Sequence, residues 1–195
     1  MQLIGRIDEI GARWDVLRHP FYRRWENGEL TRGELAFYAG EYRHAVVALA
    51  QTAAAAGDAQ HAREEADHIA VWDAFAEALG APRGSEPMPG TLACAQAWQR
   101  SDPLEARAVL YAVESAQPEI SRTKLAGLVA HYGFDADAWS TAYFRVHSSL
   151  DREHAAASRR ALEEQAREED ADRLAGVAEA ALRGNWQLLD GLAAA

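Results

Sequence analysis

His147-Ser-Ser-Leu-Asp151-Arg-Glu-His154 places two imidazoles and a carboxylate where a single helix presents all three. At the α-helical repeat their side chains fall within about 60° of one another, about one turn apart. The flanks extend the pattern: from Asp137 to Arg167 the chain has no Gly or Pro and is rich in Ala, Leu, Glu and Arg, which predicts one continuous helix. Such a face either binds an ion or is a solvated surface, and on spacing alone surface helices offer it often. Matching ligands elsewhere in the chain decide between the two.

Two further segments supply them. In His61-Ala-Arg-Glu-Glu-Ala-Asp-His68, Glu65 and His68 are i, i+3 neighbours, while Glu64 and His68 are i, i+4 neighbours. The Glu-x-x-His form is the one that two-metal carboxylate bundles use. Glu114 lies in Leu110-Tyr-Ala-Val-Glu-Ser-Ala-Gln-Pro118, a mostly apolar helical run, where a carboxylate needs a partner. The set of three histidines and three carboxylates suits iron or manganese and offers bridging oxygens for a pair of ions. No cysteine takes part, which argues against a structural zinc or an iron–sulfur centre.

The rest of the chain reads as helix. Expected helices run from about Gln2 to Leu17, Ala59 to Leu79, Thr91 to Arg100, Leu104 to Ala116, Glu119 to His131, Asp137 to Arg167 and Ala171 to Leu192. A short turn is expected around Phe21 to Glu26, and a long helix starts at Thr31, where Thr31-Arg-Gly-Glu34 has the form of a capping box. Pro118 is expected to kink the helix just after Glu114 and direct that carboxylate inward. The Pro- and Gly-rich stretch from Ala81 to Gly90 is the one linker-like segment. Period-2 alternation never persists, so the expectation is all-α, with residues 1–195 forming a single domain.

With 195 residues, 49% of them hydrophobic, the chain can bury one substantial core. Its net charge of −10, with basic residues interspersed among acids, speaks against nucleic acid as a partner. Cys94 is the only cysteine and sits in an apolar helical setting, which suits a small buried thiol better than a nucleophile. The N-terminal residues are amphipathic without a continuous apolar core, and no stretch approaches the roughly 20 apolar residues of a membrane span. A cytoplasmic protein acting on a small molecule, with no membrane partner, is therefore expected. The final helix is a candidate lid or homodimer contact.

Together with Tyr22 in His19-Pro-Phe-Tyr-Arg-Arg-Trp25, the Thr31-to-Tyr42 run, His68-Ile-Ala-Val-Trp and Glu114-Ser-Ala-Gln-Pro-Glu-Ile, the ligand spacing resembles the haem-oxygenase-like di-iron oxidases. The likeness runs from about His19 to Ala166 and is strongest to the branch that makes para-aminobenzoate. TenA-like proteins and pyrroloquinoline-quinone synthase C are more distant. The resemblance implies a haem-oxygenase-like bundle of about seven to eight helices, two iron ions or an iron–manganese pair, and dioxygen as co-substrate.

Carried over by position, the implied metal ligands are Glu65, His68, Glu114, His147, Asp151 and His154. The para-aminobenzoate branch has its first acid seven residues before the position of His68, and that place is His61 here, so Glu64 and His61 stand as alternatives to Glu65. The same branch consumes one of its own tyrosines as the source of the aromatic ring and uses a lysine as amino donor. The matching residues are Tyr22 and Lys124, while Tyr143 matches a further site tyrosine. A branch tyrosine directly before the glutamate ligand is replaced by Val113.

Each assignment has a plainer alternative. Tyr22 is also suited to anchoring the first helices, and Lys124 to being a solvated charge near a helix end. Tyr143, one turn before His147, is set over the site by its spacing and can donate a hydrogen bond or an electron. The competing functional reading is a TenA-like, metal-independent protein that binds or processes a heterocycle.

Overall fold

The computed structural model describes residues 3–82, 84 and 86–194. Among them are ten α-helices and no strand: α1 (Leu3–Arg13), α2 (Pro20–Glu26), α3 (Arg32–Ala55), α4 (Ala59–Leu79), α5 (Pro89–Trp98), α6 (Pro103–Glu114), α7 (Gln117–His131), α8 (Ala142–His147), α9 (Asp151–Gln165) and α10 (Ala171–Ala194). Single 3-10 turns at 16–18, 139–141 and 168–170 join some of them. Eight of the ten are longer helices; α2 and α8 are short, with 7 and 6 residues.

Local chemistry explains most of the boundaries. Thr31 caps α3 by accepting from the Glu34 amide at 3.2 Å, and the Glu34 carboxylate accepts from the Thr31 amide at 2.7 Å, the expected capping box. Asp58 starts α4 by accepting from the amides of Gln60 and His61. Gly80 ends it at φ 75°, a left-handed conformation that strains other residues. Asp102 accepts from the Glu105 amide to open α6, with Pro103 in its first turn.

Packing gathers these helices around aromatic side chains. α3 lies against α4, α5 and α6, while α10 crosses α1, α5 and α6, and α6 packs on α9. One core cluster contains Tyr22, Trp25, Tyr38, Tyr42, Trp72, Phe75, Trp98 and Phe144; the other joins Ile4, Ile7 and Ile10 of α1 to Leu162 and Leu174. Burying a side chain such as Phe75 contributes about 1.5–3 kcal/mol. The buried indoles also satisfy their N–H groups: Trp72 donates to the Ala39 carbonyl, Trp98 to Ala181 and Trp25 to Lys124, at 2.8, 2.9 and 3.1 Å. α5 and α10 come close because Gly184 has no side chain; a Cβ there would lie 3.1 Å from Cys94 Cα. Cys94 itself is fully buried and its thiol pKa is pushed up by that burial, as suits a packing role.

Three expected boundaries need correction. The helix predicted from Asp137 to Arg167 is not continuous: a 3-10 turn occupies Trp139–Thr141, α8 stops at His147, and α9 starts at Asp151. Ser148 and Ser149 cause the second break, because their hydroxyls donate to the carbonyls of Arg145 and Val146 at 2.6 and 3.2 Å and compete with the helical ladder. Ser148 and Leu150 nevertheless keep right-handed helical backbone angles. Pro118 does not kink a helix after Glu114. α6 ends there, and Pro118 stands in the first turn of α7, where its missing N–H costs nothing. α1 ends at Arg13 rather than Leu17, with the 3-10 turn Val16–Arg18 following; its expected start, Gln2, lies outside the described residues.

Candidate metal centre

Four helices deliver the proposed ligands to one buried place. α4 brings His61, Glu65 and His68, at i, i+4 and i+7 on one face. Glu114 is the last residue of α6, His147 the last of α8, and Asp151 and His154 lie in the first turns of α9. All seven are buried, Asp151 completely so.

Ligand atoms of these side chains form two groups that share one member. His61, Glu65, Glu114 and His154 each offer an atom within 4.8 Å of the others, and so do Glu65, His68 and His147. Glu65 is the member common to both groups, with His68 Nδ1 at 3.0 Å and both His61 Nε2 and His154 Nδ1 at 3.9 Å from its Oε1. Asp151 is outside both groups but close enough for the charges of Glu114 and Glu65 to act on it.

The donor set fits a cation. Both ring nitrogens of His61, both oxygens of Glu114 and of Asp151, His147 Nε2 and His154 Nδ1 are buried without a hydrogen-bond partner. So many orphaned acceptors in one core would each cost desolvation energy unless positive charge lay among them. The titration behaviour has the same origin. Burial, then the Glu65 charge, raises the Glu114 carboxyl well above the carboxylate range, and burial with Glu114 and Glu65 does the same to Asp151. Burial pushes Glu65 the same way, but its bond to His68 and the nearby His68, His147 and His61 outweigh it and lower its pKa.

The histidines are oriented by partners on their far sides. His147 Nδ1–H donates to the Tyr143 carbonyl at 2.8 Å, which leaves Nε2 bare toward the site. Burial, and then the neighbouring His68, lowers His147 to about 4, so it is neutral at pH 7, as a ligand must be. His154 Nε2–H donates to Glu64 at 2.8 Å, leaving Nδ1 facing Glu65. Glu64 is partly exposed and holds the His154 ring from its far side, whereas Glu65 is buried among the histidines. His61, an alternative in the sequence, lies beside Glu65 rather than in its stead, and its spacing to Glu65 and His68 carried that signal.

A second buried cluster adjoins the first. Lys124 Nζ lies 2.7 Å from Tyr38 Oη and 4.3 Å from the Tyr22 ring centre, and Tyr38 Oη is 3.0 Å from Tyr22 Oη. Lys124 is not a solvated charge; burial lowers its pKa well below the usual lysine range, and burial raises the phenols of Tyr22, Tyr38 and Tyr42. Tyr143 connects the clusters: its ring stacks on His147 at 3.9 Å and meets Trp72 at 4.7 Å. From Trp72 the chain of rings continues to Tyr42 at 5.1 Å and Tyr38 at 5.9 Å, and from Tyr38 to Tyr22 at 6.0 Å.

Tyr38, Tyr42 and Trp72 lie in the two runs that carry the resemblance, but nothing in the sequence singled them out as part of the site. Val113 and Gln117 line a cavity of about 300 Å³ between α1, the α6–α7 junction and α10. None of the proposed ligands lines that cavity.

The family described as iron-containing redox enzyme matches residues 35–186. The 4-aminobenzoate synthase of Chlamydia trachomatis is 31% identical over 97% of this chain and 91% of its own length. A protein of Shewanella denitrificans with a heme oxygenase-like fold superposes with a TM-score of 0.81 at 22% identity, covering 100% of this chain and 93% of that one. A TenA homologue from Pseudomonas syringae gives 0.78 at 16% identity, covering 100% and 92%. The fold is thus haem-oxygenase-like and TenA-like, and with a buried group of histidines and glutamates able to hold metal, the chain belongs to the iron-containing redox enzyme family.

Proposed function

We propose that this protein is an oxygen-activating non-haem di-iron oxidase that forms 4-aminobenzoate in the manner of its chlamydial relative, with its own Tyr22 as ring source and Lys124 as amino donor. One observation carries the reading: two ligand groups that share Glu65 lie next to a buried Tyr22–Lys124 pair. Glu65, His68, Glu114, His147, Asp151 and His154 would hold the pair of ions, which supply the oxidising power of dioxygen when bound.

The chain's own residues do the rest. Glu64 and the Tyr143 carbonyl fix the tautomers of His154 and His147, so the lone pairs point inward. Trp72, Phe75 and Phe144 wall the interior and keep water from the phenols. Tyr143, Trp72, Tyr42 and Tyr38 offer ring-to-ring steps by which an electron leaves Tyr22. Burial holds the Lys124 pKa well below the usual lysine range, which favours the neutral, nucleophilic amine beside the Tyr22 ring at 4.3 Å. Val113, where the para-aminobenzoate branch has a tyrosine, leaves the path to run through α3 and α4.

An anaerobic Fe(II) titration followed by admission of oxygen tests the reading. Two ions per chain, release of 4-aminobenzoate and a matching mass loss confined to the peptides of Tyr22 and Lys124 are expected. Two ions with an intact Tyr22 would move the function to an external small-molecule substrate. Heterocycle turnover that chelators leave untouched would favour the metal-independent TenA-like alternative.

A further inference from the structure

We infer that His61 is itself a ligand of the metal pair, so that each ion has two imidazole nitrogens and a share of Glu65, a donor balance that selects iron over manganese at both positions. The inference rests on the two-metal reading above and assigns a seventh side chain to it.

Hydrogen bonding does not account for the placement of the His61 ring. The residue is 3% exposed, yet neither ring nitrogen has a hydrogen-bond partner. Nε2 lies 2.9 Å from Glu114 Oε1, but the two are not aligned for a hydrogen bond. Ligand atoms that converge on one ion approach each other in this way, side by side rather than donor to acceptor. The ring also lies over that of His154, with centroids 3.9 Å apart and planes at 28°, so both imidazoles address the same point beside Glu65 and Glu114.

Its position is set before any ion arrives. Asp58, the cap of α4, accepts from the His61 backbone amide at 3.1 Å, which fixes the first turn of the helix. Glu65 and His68 follow on the same face, and the other half of the site repeats the pattern with His68 and His147, whose rings are 4.3 Å apart. Both halves therefore present two nitrogens around a common carboxylate. Imidazole favours Fe(II) over Mn(II), which is held better by oxygen donors and stands lower in the affinity series. A carboxylate at position 61 would make one half harder and open it to manganese.

Metal content, read without turnover, tests this. Metal-free protein is loaded anaerobically from equimolar Fe(II) and Mn(II), desalted and analysed. Wild type is expected to hold two ions per chain, predominantly iron. His61→Ala should hold about one, with affinity for the second lowered about tenfold or more. His61→Glu should hold two with manganese content raised severalfold. Far-UV circular dichroism checks that the variants fold, and His61→Gln, which retains bulk and neutrality, stands in if the alanine variant does not. Two irons bound with unchanged affinity in both His61→Ala and His61→Gln would overturn the assignment and leave the two-metal reading standing. Equal iron and manganese in wild type would overturn the selectivity. Fewer than two ions of either kind in wild type would overturn both.

Discussion

Glu64 accepts the Nε2–H of His154 at 2.8 Å across the α4–α9 interface, which turns the bare Nδ1 of that ring toward Glu65. The two carboxylates are neighbours in the chain: Glu65 faces inward and is buried, whereas Glu64 lies at the rim. Glu64→Ala should therefore leave the fold intact but free the ring of His154. The expected result is a fall of about tenfold in Fe(II) affinity, at the low end for such supporting groups because Glu64 is partly solvated. Competition against a chelating dye measures it; an unchanged constant would mean that the bond is only a surface contact.

Iron binding should release protons. Burial first, then the Glu65 charge on Glu114 and the Glu114 and Glu65 charges on Asp151, hold both carboxyls above their usual range in the metal-free protein, and a metal requires both as carboxylates. Affinity for Fe(II) should consequently rise with pH above the ordinary carboxyl range, until both groups ionise unaided. Calorimetry in two buffers of different ionisation enthalpy counts the protons. A binding constant flat across that range would exclude these carboxyls as ligands.

Lys124 sets a pH dependence of opposite origin. Its folded pKa is depressed by burial below 10.5, so between the folded and unfolded values the unfolded chain holds the extra proton. Stability contributed by this residue is thus least in acid and rises with pH toward 10.5. Lys124→Met should stabilise the metal-free protein at pH 7, on the order of 1–3 kcal/mol less the lost Tyr38 bond, with the gain shrinking as pH rises. Urea denaturation at several pH values reads this directly. The same variant should bind two irons and make no 4-aminobenzoate.

Trp72→Phe separates the ring path from the metal centre. The variant loses the indole bond to the Ala39 carbonyl, a cost of about 0.5–1.5 kcal/mol, and none of the ligands. Iron content should be unchanged while oxidation of Tyr22 slows at least severalfold, as followed by mass spectrometry of the Tyr22 peptide. Equal rates in variant and wild type would remove Trp72 from the path.

Tyr22→Phe keeps the aromatic packing around Trp25 and Tyr38 but deletes one buried hydrogen bond, so stability should fall by about 1 kcal/mol. Formation of 4-aminobenzoate should cease with two irons still bound. Continued formation would make Tyr22 an anchor and place the ring source elsewhere.

The sequence by itself determined the helical class, the capping box at Thr31 and the shared face of Glu65 and His68, because caps and i, i+3, i+4 spacings are local properties that a helix turns into shared faces. Even the unforeseen break at Ser148–Leu150 did not scatter His147, Asp151 and His154, since the residues around it keep helical backbone angles. What tertiary structure decided was which neighbours matter. Glu64 and Glu65 are adjacent in the chain, and only the packing of the other helices turned one to the rim, where it holds His154, and buried the other among histidines. Lys124 read equally well as a surface charge until α7 packed it among Tyr22, Tyr38 and Tyr42. His61 was offered by the sequence in place of Glu65, and only the approach of Glu114 on α6 and His154 on α9 showed the two side by side, because spacing fixes the direction of a side chain on its own helix while burial and charge depend on what other helices place opposite.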